Sequence, residues 1–191
     1  MPVHFLPVAL LGFLCFLVPQ RSLFAGAGNF EETCRGEGFE IFVSARKEGE
    51  GWKVRLEPRG LSSDSRIQTF EKDAPPTRVL FEDMTGDGIQ ELFLIFTSPG
   101  SGSHGSVLAF STNGKKALTD IVIDEPKAEN LEGYMGHDEF EVVENTFVRR
   151  FPVYKSQDAN AKPTGGWRQF QYKLRPGEAA WHLRLDRVVS F

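Results

Sequence analysis

Two short stretches of this chain carry residue types whose spacing could do chemistry. The first reads Asp83-Met84-Thr85-Gly86-Asp87-Gly88-Ile89-Gln90-Glu91. Oxygen-bearing side chains at Asp83, Thr85, Asp87 and Glu91, with Gly88 at the sixth position, follow the spacing of a calcium-binding turn. The acid that an EF-hand places at the twelfth position is missing, because Leu94 stands there, and no helices flank the stretch. A tight turn whose acid side chains accept backbone N–H groups accounts for the same residues. The second stretch is Ser98-Pro99-Gly100-Ser101-Gly102-Ser103-His104-Gly105-Ser106. Its glycines match G-x-G-x-x-G literally. That fingerprint needs a following helix to hold a pyrophosphate, whereas Val107 to Ser111 alternates like a strand, so no dinucleotide cofactor is expected. Ser101 and His104 could belong to a nucleophile–base pair, but no serine sits in a G-x-S-x-G elbow. A loop with so little side-chain bulk is expected to hold such a pair poorly. No paired ligands suggest zinc. The expectation is a protein that is not an enzyme and carries no cofactor.

The elements that would position these stretches are strands. Phe39, Ile41 and Val43 alternate onto one face, and so do Val54 and Leu56 after a Gly-rich turn, so 39–57 reads as a hairpin. Ile67 to Phe70 is a weaker strand, and Asp73 to Thr77, with Pro75-Pro76, reads as an exposed connector. Arg78 to Glu82 and Glu91 to Thr97 flank the acidic turn. Val107 to Ser111 leads into Asn113-Gly114, a hairpin signal, and Ala117 to Ile123 follows. Residues 124–138 are polar and irregular. Phe140 to Val143 pairs with Thr146 to Phe151 across Glu144-Asn145. A long loop covers 152–166, and Arg168 to Leu174 and Trp181 to Leu185 close the chain. About ten short strands and no amphipathic helix of ten residues predict an all-β chain: a single antiparallel β-sandwich or barrel-like domain.

Residues 1–27 read as a cleaved signal peptide and 28–191 as the β domain. Phe5 to Val18 is a short apolar run broken by Pro7, and Ala25-Gly26-Ala27 is an A-x-A cleavage site. This predicts export to the periplasm with no membrane span afterwards. Cleavage removes Cys15 and leaves Cys34 as a single thiol, either free or paired between chains. A homodimer is compatible with that thiol and with exposed strand edges. The whole chain carries a net charge of -4. An acidic exported domain is not expected to bind nucleic acid and suits a basic partner.

The C-terminal part carries the most specific text: Gly133-Tyr134-Met135-Gly136-His137-Asp138-Glu139-Phe140, then Val148-Arg149-Arg150-Phe151-Pro152-Val153-Tyr154, Asp158-Ala159-Asn160, and Pro163 to Tyr172. Together with the Ser-Gly-Ser loop, this text resembles the periplasmic inhibitors of invertebrate-type (I-type) lysozyme. The resemblance runs from about residue 78 to residue 185. It implies a secreted, all-β, non-enzymatic inhibitor from a Gram-negative bacterium, whose loop enters the lysozyme cleft and blocks the catalytic carboxylates. The matching loop residues are Ser101, Gly102, Ser103 and His104. The family pattern often has Tyr where this chain has His104, a departure that bears on inhibition strength and target. The chemistry stands beside the resemblance. Lysozyme cleaves sugars with two carboxyl groups, and serine hydroxyls, backbone N–H groups and a protonated imidazole all donate to carboxylates. Tyr134, Arg168 and Tyr172 are candidates for bracing the loop. The alternative is a calcium-binding β-sandwich module for carbohydrate binding or adhesion, built on the 83–91 turn and exposed aromatics.

Overall fold

The computed structural model describes residues 29–191, and the signal-peptide reading, with its cleavage site, lies outside them. Twelve strands follow in order: β1 (Asn29–Gly36), β2 (Phe39–Glu48), β3 (Gly51–Arg59), β4 (Gln68–Lys72), β5 (Pro76–Glu82), β6 (Glu91–Thr97), β7 (Gly105–Ser111), β8 (Thr119–Ile123), β9 (Glu139–Val143), β10 (Thr146–Pro152), β11 (Trp167–Pro176) and β12 (Trp181–Ser190). One 3-10 turn, Ala128–Leu131, lies between β8 and β9. The all-β expectation holds. Among the described residues no helix is long and apolar enough to cross a membrane.

The strands form two sheets. One is four-stranded, ordered β1-β2-β3-β4, and the other eight-stranded, ordered β5-β6-β7-β8-β12-β11-β10-β9. The larger sheet curls until its two ends meet, where Arg78 Nη1 on β5 donates to the Phe140 carbonyl on β9 at 3.2 Å. It is thereby nearly a barrel. All pairings are antiparallel except β8 with β12, which run parallel through Ile121 to Ile123 and Trp181 to Leu183.

Alternation decides what lies inside. Ile41, Val43 and Ala45 of β2 and Val54 and Leu56 of β3 are completely buried. They pack against Val79, Leu92, Leu94, Phe96 and Phe110 from the outer side of the curled sheet. The barrel interior is a second core, with Leu80, Phe93, Ile95, Phe147, Phe151, Phe170 and Leu183. Strand β6 serves both, so Leu92 to Phe96 is apolar without interruption: even positions face one core and odd positions the other. Phe93 and Phe147 stack with centroids 5.0 Å apart at the centre.

Several local expectations change. β1 has no counterpart in the sequence reading, because Glu31, Glu32 and Arg35 hide its alternation, yet it pairs along its whole length with β2. Pro76 is buried at the start of β5 rather than lying in an exposed connector, and the register shifts between Pro76 and Arg78. The Asn113-Gly114 signal sits in a wide turn, 112–118, not a tight hairpin: Asn113, Gly114 and Lys115 all take positive φ, and Lys116 and Ala117 donate to the Thr112 carbonyl. Cys34 is free and buried. Burial, reinforced by the Glu32 carboxylate, pushes its thiol up to about 12, so it is not placed to link two chains.

Candidate functional site

The β6–β7 connection is short in side chains and rich in hydrogen bonds. Ser98 N donates to the His104 carbonyl at 2.8 Å, and His104 N donates to Ser98 Oγ at 3.0 Å, closing the base of the loop. Ser103 N turns back to the Gly100 carbonyl at 3.3 Å. Gly100 has φ 126° and Ser103 has φ 45°, so the tip turns through backbone conformations that most side chains resist.

Behind this loop lies a buried ion pair. The Asp138 side chain is fully buried and its Oδ1 accepts Arg149 Nε at 2.7 Å. Its Oδ2 accepts Gly105 N at 2.7 Å and the Tyr134 hydroxyl at 2.5 Å. One carboxylate thus ties the first residue of β7 to the 131–138 segment and to β10. The guanidinium of Arg149 also lies over the Tyr134 ring, 5.0 Å from its centroid. Burial alone would lower the Arg149 pKa, but the Asp138 carboxylate outweighs it and holds the cation above its ordinary value. Burial and then the Asp138 hydrogen bond push the Tyr134 phenol up to about 12. Breaking such a pair by removing one partner costs about 3–5 kcal/mol, because the other charge stays buried.

Two neighbouring segments complete the bracing. His137 N donates to the Gly102 carbonyl at 2.8 Å. The approach is so close that a Cβ on Gly136, itself at φ 94°, would overlap that carbonyl. On the other flank Asn160 Nδ2 donates to the Ser101 carbonyl at 2.8 Å, and the Tyr154 hydroxyl donates to the Asn160 carbonyl at 2.8 Å. Asp158 organises this long loop by accepting Lys155 N, Thr164 N and Thr164 Oγ1.

The structure therefore brings most of the named residues together. Ser101 is exposed at the tip and His104 at the base of the loop, and Gly102 and Ser103 are half-buried. The imidazole of His104 rests edge-on against the Tyr134 ring at 5.5 Å, so Tyr134 lies in contact with the loop. Arg168 acts one step behind it: its Nη1 donates to the Asn130 and Glu132 carbonyls at 3.0 and 2.9 Å, fixing the segment that carries Tyr134. Tyr172 does not brace the loop. It is a core residue, 2% exposed, with its ring 6.2 Å from Phe147 and 6.5 Å from Phe170. The loop is held from three sides rather than loose.

The acidic turn uses its oxygens locally. Asp83 Oδ1 accepts Thr85 N and Gly86 N, and its Oδ2 accepts Gly88 N, at 3.1, 2.7 and 2.7 Å. Asp87 Oδ1 accepts Ile89 N, and Glu91 Oε2 accepts Met84 N. Among the described residues no three His, Cys, Asp or Glu side chains gather as ligands for a metal. Glu91 is 3% exposed, and burial pushes its carboxyl up to about 7.

Asp138, Arg149 and Asn160 were not identified as bracing residues from sequence. Arg149 left a readable sign, because it occupies an inward position between Phe147 and Phe151 on β10, where an unpaired cation would be costly. Asp138 and Asn160 act across 33 and 59 residues of chain, respectively, and left no local sign. Comparison with known proteins finds no match: no protein family, no curated protein and no solved structure aligns significantly with this chain.

Proposed function

We propose that this chain is an exported, periplasmic inhibitor of lysozyme, with the I-type enzyme as its partner, and that it acts by placing the 98–104 loop in the active-site cleft. The observation that supports this reading most is the combination of a thin exposed tip with bracing on three sides. Ser101 stands exposed at the tip and His104 exposed where the loop closes, while Asp138, His137 and Asn160 hold the backbone. A loop already fixed in its bound shape loses little conformational entropy on docking. Its small residues suit a saccharide groove, and its hydroxyl, imidazole and peptide N–H groups are donors matched to the two carboxyl groups of a glycosidase. The calcium-module alternative gains no support, because Asp83 already spends both oxygens on peptide N–H groups.

The test measures inhibition of I-type, chicken-type and goose-type lysozymes on suspended cell walls by residues 28–191 and by the Ser101→Ala, His104→Ala double variant. The expected result is inhibition of the I-type enzyme, weakened at least about tenfold in the double variant, equivalent to about 1.4 kcal/mol. Melting curves should coincide, since substitutions at exposed loop positions usually change stability by no more than about 0.5 kcal/mol. Equal inhibition by the wild type and a well-folded double variant would sink the loop mechanism.

A further inference from the structure

Strand β7 spans Gly105–Ser111, yet its register with β8 covers only two pairs, Phe110 with Asp120 and Ser111 with Thr119. Beyond Phe110 the two strands diverge. Strand β8 instead turns to its parallel pairing with β12. The sheet is therefore split between Gly105–Ala109 and Ile121–Ile123, and the split opens on a cavity of about 410 Å³ that reaches the barrel interior. This is within the range of small-molecule sites. Its apolar lining comes from Val107, Ala109, Ile121, Phe140 and Phe147.

Besides Ser106 and the carboxylates at its opening, two polar groups line the same space. One is Arg149, whose Nε is held by Asp138. The other is Tyr172. The hydroxyls of Tyr134 and Tyr154 are engaged with Asp138 and Asn160, but that of Tyr172 has no partner among the described residues, although the residue is 2% exposed. This hydroxyl is not one of the sealed-off, unpartnered polar atoms of the interior, so it opens on the cavity, and that place makes it available to a guest. Burial pushes this phenol up to about 12, so it remains a hydrogen-bond donor at neutral pH.

Charge narrows the class of guest. Arg149 is already neutralised by Asp138. Asp120, Asp124 and Glu125 stand around the opening, with Asp124 paired to Arg184. An anionic head would meet the unpaired carboxylates of Asp120 and Glu125 and no unpaired cation among the lining residues, whereas an uncharged acceptor meets the Tyr172 hydroxyl without that penalty.

We propose that the split between β7 and β8 is the mouth of a binding site for a small amphipathic molecule, with an uncharged hydrogen-bond-accepting head placed at Tyr172 and Arg149 and an apolar body lying between Ala109, Ile121 and Phe147. The site is separate from the loop crest and does not depend on the lysozyme reading.

The test uses the neutral fluorescent probe N-phenyl-1-naphthylamine with residues 28–191. Saturable fluorescence enhancement is expected, reversed by decan-1-ol and at least about tenfold less well by decanoate, a difference of about 1.4 kcal/mol. Ala109→Trp fills the cavity and should remove the enhancement. Val107→Trp does so from a half-buried position, so one of the two should remain folded, as checked by circular dichroism. Tyr172→Phe should weaken displacement by decan-1-ol several-fold, read against the probe affinity of that variant itself. Absence of saturable enhancement, or enhancement equal in the wild type and a folded Trp variant, overturns the site. Displacement by decanoate as effective as by decan-1-ol overturns the uncharged head.

Discussion

Replacing Glu91 by Gln tests how the acidic turn is built. Glu91 ends the turn at the start of β6, is 3% exposed, and accepts Met84 N at 2.9 Å. Burial pushes its carboxyl from the ordinary 4.5 up to about 7, with Asp87 and Asp83 adding like charge. The folded protein then binds more protons than the unfolded chain between those two values. Stability from this residue is complete below pH 4.5 and is lost as pH rises through 7. Linkage between 4.5 and about 7 gives a loss of about 2.5 kcal/mol between pH 5 and pH 8. Glutamine keeps the acceptor for Met84 N and carries no proton to lose, so Glu91→Gln should lack this loss. Urea unfolding of both proteins at pH 5, 6, 7 and 8 measures it. The variant should gain about 2–3 kcal/mol relative to wild type across that range. Asp83, Asp64 and Asp158, whose carboxyls are held below their ordinary values, act at lower pH and cancel in the comparison. A constant difference between the two proteins from pH 5 to 8 would refute a carboxyl buried in its neutral form.

Three other outcomes follow from the site and the cores. Asp138→Ala should cost about 3–5 kcal/mol in urea unfolding, since it strands Arg149 in the interior, and Arg149→Met combined with it should recover part of that loss. Cys34 should resist a thiol-specific disulfide reagent in the native protein and react once urea unfolds it, because its thiol is buried and pushed up to about 12. Millimolar calcium should leave the melting temperature unchanged, while Asp87→Ala lowers stability by about 1–3 kcal/mol through the lost bond to Ile89 N.

The parts of the fold that were legible in sequence are those fixed by local alternation. The β2–β3 hairpin announces itself through Ile41, Val43, Val54 and Leu56, and the structure pairs Val43 with Leu56 and Ala45 with Val54. The dense apolar run Leu92 to Phe96 is legible as a strand, but nothing in it says that its two faces belong to different cores. Charge concealed β1, whose outward Glu31 and Arg35 alternate with half-buried neighbours. The parallel pairing of β8 with β12 has no local signature at all. The loop tip could be read from its glycines and serines, whereas its rigidity could not. That rigidity comes from Asp138 and Asn160, which are distant in sequence, and Tyr172 was misassigned because alternation places a residue on a face without saying what lies beneath it.

The placement of β12 imposes an order of assembly. Strands β1 to β7 pair only with sequence neighbours inside each sheet, as β8 does on its β7 side, so the four-stranded sheet and the first half of the curled sheet can form as the chain emerges. On its far side β8 must wait for Trp181 to Leu183, roughly sixty residues later. Until then the faces of Phe93, Ile95, Ala109 and Ile121 lack the β10–β12 side chains that cover them. A chain halted before residue 181 would hold one finished core and expose half of another, the kind of intermediate that aggregates or recruits a chaperone. Synthesis of β12 is the step that releases the protein from that state.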